Sequence, residues 1–501
     1  MINEIALYVL AIPFIVGVLV SLANSKIKPL IGAYLIAASL VLVTAVDTII
    51  LYIYKDYVYQ FVSIGRLGTF DIIIDGLNWP LIAGIGLVTA VISVYSYPYM
   101  KVRMHEMGKE NEWGIYYFLY VFFSAAMMGI VQSNNFILFY IFLEIALISS
   151  FLLIAFYGYG NRSRISIIYL IWTHLGGFMF LLGSFIYGMV LGTFNFYPIP
   201  VNISLLGSLT GIVVFLIVFG LLIKMAVFGV HMWLPYAHAE APTPVSALLS
   251  PAMIGIGGYA IIRILYLIFL PYLENVQWAL LALSLITIIY GGLMALKETD
   301  FKRLLAYSSI AQMGYMLMGI ATLSPLGILG ALMIFFSHAV GKSILFSSSG
   351  VLIAENDNLR DINKMGGLAK SMPYTSTLAL LGFMDISGLP PTFGFFSKLF
   401  VLIAVGAELV KLGYTGIIVL VFVLIGFGLT PAYSFVAMKK IFFGTSNIKA
   451  KEGGMYMLVP MSIIAFIAIL TFMFPSSIIG PISEFLKQGA SLIINYFEVI
   501  M

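Results

Sequence analysis

Cysteine is absent from all 501 residues, so this chain holds no disulfide, no thiolate metal site, no iron–sulfur ligand and no cysteine nucleophile. Charge is nearly as scarce: 9% of residues are Asp, Glu, Lys or Arg and 5 are histidine, against 62% hydrophobic. That balance excludes a soluble globular protein and leaves no basic surface for nucleic acid. If the protein works in a redox assembly, other subunits must carry the cofactors. The first twenty residues also lack a basic n-region and a small-residue cleavage site. Residues 5–23 therefore read as a retained first span, not a signal peptide.

What the chain does have is apolar runs of about 18 to 25 residues, each long enough to cross the hydrocarbon core. Fourteen recur, near 5–23, 30–54, 78–100, 114–132, 134–156, 165–192, 208–232, 245–270, 275–296, 303–322, 326–354, 374–404, 414–438 and 455–474. The expected fold is an all-α polytopic membrane protein of about fourteen transmembrane helices. Its expected divisions are 1–113 (three helices and a surface hairpin), 114–270, 271–443 and 444–501. Residues 59–79 alternate and carry glycines, which predicts the hairpin. The tail over 482–500 reads as an amphipathic interfacial helix.

Lys and Arg test that count. Loops after odd-numbered spans hold 17 of them, including Lys302, Arg303, Arg360 and Lys364, whereas the other side holds only Lys55, Arg66, Lys411 and Lys487. By the positive-inside rule both termini face away from the cytoplasm. One missed helix near the middle would erase the bias.

Nine polar residues then fall inside spans: Asp47, Glu144, His174, Lys224, Arg263, His338, Lys342, Asp385 and Lys398. A charged lysine at a helix centre costs about 2.5 to 3.5 kcal/mol, so each such residue needs a partner or a task. Glu144 and Lys224, two spans apart and similarly deep, are natural partners, either as a static bridge or as a coupled proton site. His338 and Lys342 are four apart and share a helix face, where a histidine can pass protons near neutral pH. Lys398 on the following span continues that line. Pro390 and Pro391 precede Lys398, and Gly220 and Gly229 bracket Lys224. Broken helices at membrane depth mark transport paths, and here breaker and ionisable residue coincide twice, five spans apart. Spans 4 to 8 and 9 to 13 are thus expected to be inverted five-helix repeats with helices 7 and 12 broken.

The run LLIKMAVFGVHMWLPYAHAEAPTPVSALLS, with RLLAYSSIAQMGYMLMGI, SHAVGKSILF and GLPPTFGFFSK, resembles the antiporter-like family shared by respiratory complex I, Mrp-type sodium/proton antiporters and energy-converting membrane-bound hydrogenases. The resemblance covers about residues 70 to 440. It implies that Glu144 and Lys224 form the charged pair of a first half-channel, that Lys398 is the terminal lysine of a second, and that His338 with Lys342 connects them. His231 and His238 match the motif after the seventh helix. It further implies a prokaryotic cytoplasmic-membrane protein that moves protons or sodium, holds no cofactor, and works with antiporter-like and small membrane subunits and a peripheral redox arm. The short stretch after the last span resembles the D-type component of Mrp antiporters. The sequence departs from the family at Gly255, where many relatives carry a lysine, at Tyr236 in place of an aspartate, and at Gln312 in place of a histidine. Three functions stay open at this point: an ion-pumping subunit of a redox complex, a component of a non-redox Mrp antiporter, and a structural subunit with an interrupted proton path.

Overall fold

In a computed structural model of the chain, residues 4–23, 26–65, 68–197, 203–445, 448 and 450–487 are described. Seventeen α-helices lie wholly among them, with one two-stranded sheet. Helices α1 (Ile5–Leu22), α2 (Pro29–Tyr54), α3 (Trp79–Met107), α4 (Trp113–Gln132), α5 (Phe136–Tyr157) and α6 (Arg162–Leu191) come first. Then follow α7 (Thr210–Lys224), α8 (Trp233–Glu240), α9 (Thr243–Leu248), α10 (Ile254–Ala260), α11 (Leu270–Lys297) and α12 (Phe301–Ala321). The last are α13 (Pro325–Glu355), α14 (Pro373–Ser387), α15 (Gly394–Val410), α16 (Gly413–Ile441) and α17 (Met455–Met473).

Among the described residues, 13 helical segments are long and apolar enough to cross a membrane. The remaining expected stretch, 374–404, is divided between α14 and α15, of 15 and 17 residues. The eighth is a continuous rod, Thr243–Tyr266, in which two π-helical turns, Leu249–Met253 and Ile261–Tyr266, separate and follow α9 and α10. Such turns shift helical phase and were not legible from hydrophobic period alone.

Ordinary end signals explain several boundaries. Asn135 accepts from the Ile137 and Leu138 N–H groups at the start of α5, Asp300 caps α12 at Arg303, and Ser324 caps α13 at Gly327 with Pro325 following. Left-handed Gly108, Gly192 and Gly388 end α3, α6 and α14.

Burial sorts the helices into two classes. The Thr243–Tyr266 rod, α12 and α13 are enclosed along their most apolar stretches, whereas α1, α6 and α16 expose most of theirs. Arg263, Lys302, Gln312, His338 and Lys342 lie on the inner three, and the outer helices present bare Ile, Leu, Phe and Val. Helix α13 touches α3, α12, α14, α15 and α17, and its buried Ser343, Ser348 and Ser349 bond carbonyls one turn back. Small side chains satisfied within their own helix allow this close packing.

The hairpin is present as β1 (Tyr57–Ser63) and β2 (Thr69–Ile74), antiparallel, with Tyr57 opposite Ile74 and an irregularity between Gln60 and Val62. Asn195 locks it to the body, accepting from Thr69 N–H at 3.0 Å and donating to Asp71 Oδ2 at 2.7 Å. Of the expected interfacial tail, residues 482–487 are helical, within a helical stretch that starts at 476, and 488–500 lie outside the described residues, as do Arg66 and Lys449.

One sequence expectation needs revision, and one in-span charge finds its partner. Lys302 is no loop cation: it lies in the first turn of α12, fully buried. Arg263 is a buried structural group, donating from Nη1 and Nη2 to both oxygens of Asp75 at 2.7 and 2.6 Å and from Nε to the Tyr259 hydroxyl at 3.0 Å. A pair this well satisfied resists dissection, since losing one partner strands a buried charge at a cost of about 3–5 kcal/mol.

Candidate functional site

The seventh apolar run stays helical only as far as Lys224, and regular α-helix resumes at Trp233. Ala226 takes a left-handed φ of 53° inside the break, and the Trp233 indole reaches back to donate to Ile223 O at 3.2 Å. Lys224 is 4% exposed, and its ammonium has no hydrogen-bond partner among the described residues. Glu144 acts on it electrostatically but forms no bridge with it. The carboxylate is instead paired with His174 Nδ1 at 3.1 Å, across α5 and α6, on a side where the histidine side chain is 53% exposed. The expected Glu144–Lys224 contact is thus replaced by a Glu144–His174 contact beside a solitary lysine.

The centre of the molecule is better connected. His338 Nε2–H donates to Ser250 O at 3.1 Å, which leaves Nδ1 as the free ring nitrogen. The Ser250 and Ser309 hydroxyls share a bond of 2.7 Å. One turn along α13, the Lys342 ammonium donates to Leu305 O at 2.7 Å and to the Ser308 hydroxyl. Lys342 is fully buried, and no carboxylate among the described residues is bonded to it.

At the second break, α14 ends at Ser387 and α15 begins at Gly394. Asp385 spans the gap: Oδ1 accepts the Gly394 N–H at 2.8 Å, and Oδ2 accepts the Ser337 hydroxyl at 3.2 Å. The approach is so close that a Cβ on Gly394 would stand 1.9 Å from Asp385 O, so only glycine fits. Lys398, 6% exposed, lies 4.2 Å from the centre of the Tyr315 ring. Its ammonium has no hydrogen-bond partner among the described residues, and Asp385 is the carboxylate that acts on it. Asp385 counted among the in-span polar residues, but its role went unread. The signal available was a carboxylate nine residues before a glycine, on the other side of a Pro-Pro break.

His231 and His238 occupy different surroundings. His231 lies in the first break, stacked on Phe228 at 5.8 Å and tilted against Tyr290 at 4.7 Å. His238 in α8 is fully buried against Phe346 at 5.1 Å, with neither ring nitrogen bonded to a described residue.

Lys342 and Lys398 act on His338 together, whereas Lys224 and Glu144 form a separate group. Helix α10 lies between: a Cβ on Gly257 would come within 3.4 Å of Lys224 Cβ, and one on Gly255 within 2.4 Å of Phe335 Cδ2. Phe335 therefore fills the space that a larger residue at 255 would use. Gln312 donates to Ile386 O at 3.0 Å and so supports the end of α14. No cluster of three or more His, Cys, Asp and Glu suited to a metal occurs among the described residues.

Comparison with known proteins gives these positions a context. The chain is 34% identical over 390 residues to the F(420)H(2) dehydrogenase subunit M of Methanosarcina mazei, covering 75% of this chain and 74% of that one. It is 32% identical over 381 residues to the NAD(P)H-quinone oxidoreductase chain 4 1 of Synechococcus elongatus, covering 75% and 68%. Its fold is similar to a chain of respiratory complex I from Thermus thermophilus, with TM-score 0.83 and 21% identity over 98% of this chain and 100% of that one. It is equally similar to a chain of the Mrp complex from Dietzia, with TM-score 0.83 and 19% identity over 99% of each. Residues 133–428, more than half of the chain and including both breaks with Lys224, Lys342 and Lys398, match the family described as NADH:quinone oxidoreductase/Mrp antiporter, TM. The chain belongs to that family of antiporter-like membrane subunits.

Proposed function

We propose that this chain moves protons as an antiporter-like subunit of a membrane-bound respiratory redox complex. Glu144, Lys224, His231, His238, His338, Lys342 and Lys398 carry the protons in this reading, and redox cofactors reside in partner subunits. Relatives 34% and 32% identical to the chain are named as a dehydrogenase subunit and a quinone-oxidoreductase chain, which favours a redox assembly over a free-standing Mrp antiporter. The Lys and Arg distribution supports a reading with both termini on the outer side of the cytoplasmic membrane. The breaks after Lys224 and before Lys398 are read as the interruptions of inverted repeats at membrane depth.

The observation that carries the proposal is Lys398. A lysine serving only as structural glue would be bonded to a carboxylate, yet this ammonium faces an aromatic ring with Asp385 engaged elsewhere. Such a group gains from its surroundings in either protonation state and changes state when the Asp385 charge or the Lys342 charge changes. Asp385 makes the coupling mechanical as well, since the same carboxylate holds the start of α15.

Proton pumping by membrane vesicles containing the whole complex tests this, followed with a dye sensitive to the pH gradient while the complex oxidises its own electron donor. Lys398→Ala and Lys224→Ala are expected to retain electron transfer and to lower protons moved per electron. Full pumping by both variants would reduce the chain to a structural role.

A further inference from the structure

Four aspartates are buried among the described residues, and three of them are well supplied with hydrogen-bond donors. Asp75 takes both terminal guanidinium nitrogens of Arg263 and the Leu77 and Asn78 N–H groups. Asp71 accepts from Thr69 Oγ1, Asn134 Nδ2 and Asn195 Nδ2 at 3.0, 3.4 and 2.7 Å, and Asp385 accepts from Gly394 N and Ser337 Oγ. Asp47 is the exception. It is fully buried in α2, about 10 Å from the Tyr54 end at 1.5 Å per residue, and its single donor is Nε2–H of Gln132. Its Oδ1 has no partner among the described residues, and no lysine, arginine or histidine there is bonded to either oxygen. Gln132 Oε1 is likewise without a partner.

A carboxylate in that position would be a buried charge without a counter-charge, and a group so placed takes up a proton instead. The two orphaned atoms are both acceptors, and they belong to groups already joined through their other ends. One hydrogen between them serves both. A carboxylic acid and a carboxamide close a ring of two hydrogen bonds, the acid O–H donating to Gln132 Oε1 and the amide N–H to Asp47 Oδ2. A water donating to both oxygens would serve the same atoms but would leave the charge uncompensated.

We propose that Asp47 is a resident proton site. Its carboxylate takes one proton from a hydronium ion as the chain packs, leaving water, and the neutral acid then pins α2 to the end of α4. The joint has a place in the fold, because α2 packs mainly on α3 and meets α4 at few points. Gln132 is the last residue of α4, and the carbonyl of its neighbour Val131 accepts from Asn78 Nδ2 at 3.0 Å and from the Tyr259 hydroxyl at 2.8 Å. Tyr259 is bonded in turn to Arg263. The end of α4 therefore joins the Arg263–Asp75 pair on one side to Asp47 on the other, and a neutral Asp47 adds no second buried charge there. Asp47 precedes residues 133–428, the stretch that matches the family, and lies outside the proton-carrying set proposed above, so the assignment stands apart from that function.

Asp47→Asn in the purified whole complex tests this, because an amide is neutral and closes the same ring with Gln132. The variant is expected to assemble at the parental level and to melt within about 2 °C of the parent. Its infrared difference spectrum against the parent should lack one C=O stretching band of a protonated carboxyl. Loss of a carboxylate band instead, or an acid region identical to the parent's, overturns the proposal, and so does failure of this variant to assemble. Asp47→Ala strands the Gln132 carboxamide and is expected to melt at least about 4 °C lower. A parental melting temperature for that variant would mean that α2 is not held there. Pumping separates a resident proton from a carried one. Protons moved per electron should be unchanged in Asp47→Asn, and a fall beyond twofold would show the proton leaving Asp47 during turnover, which overturns the resident site.

Discussion

The two breaks place their lysines at opposite ends of helices. Lys224 is the last residue of α7, where the negative end of the helix dipole favours an ammonium by about 0.3–1 kcal/mol. Lys398 is the fifth residue of α15, close to the positive end, where the dipole opposes it and the Asp385 cap offsets that opposition. Glu144, the carboxylate nearest in role to Asp385, is held by His174 on a partly exposed face. The first site thus stabilises its charge by local backbone, the second by a carboxylate that also holds a helix in place. Sites that resemble each other in sequence reach comparable burial by different electrostatics, so equivalent substitutions should have unequal effects.

Asp385→Asn is the sharpest way to break this contrast. The amide oxygen still accepts from Gly394, but the charge is gone, and pumping per electron is expected to fall at least tenfold with assembly retained, as read from vesicle pumping beside native-gel abundance. Glu144→Gln measured in parallel should cost less. Equal losses would erase the difference between the sites. Tyr315→Leu should have the next largest effect. Removing an aromatic face worth about 0.5–2 kcal/mol to a nearby cation is expected to slow pumping several-fold, and the same assay with Phe228→Leu beside the first break should show little change. The smallest effect is expected for His174→Gln. A half-exposed ion pair contributes about 0–1 kcal/mol, so pumping should change less than twofold and the melting temperature of the purified complex hardly at all. A large loss would mean that His174, not Lys224, is the working partner of Glu144.

Much of this arrangement was legible in the chain. Apolar run length located the spans, and the Pro-Pro and Gly positions located the ends of α7 and α14 within a few residues. The spacing of His338 and Lys342 placed both on one buried face. What escaped was set by packing between distant segments. Lys302 reads as a loop cation beside Asp300 and Arg303, and only the rotation of α12 turns it inward while those neighbours line a polar surface cleft. The choice of His174 over Lys224 by Glu144 depends on how α5 meets α6, which no local pattern records. The Arg263–Asp75 pair joins residues 188 apart, and nothing near either one announces the other.

Gly255 ties two helices together in what they can each carry. A side chain there would meet the Phe335 ring at 2.4 Å, so any larger residue at 255 requires that ring to shift or to become smaller. The lysine expected from the family resemblance is thus admitted or refused by one aromatic side chain on a different helix, and the two positions behave as a single unit of design.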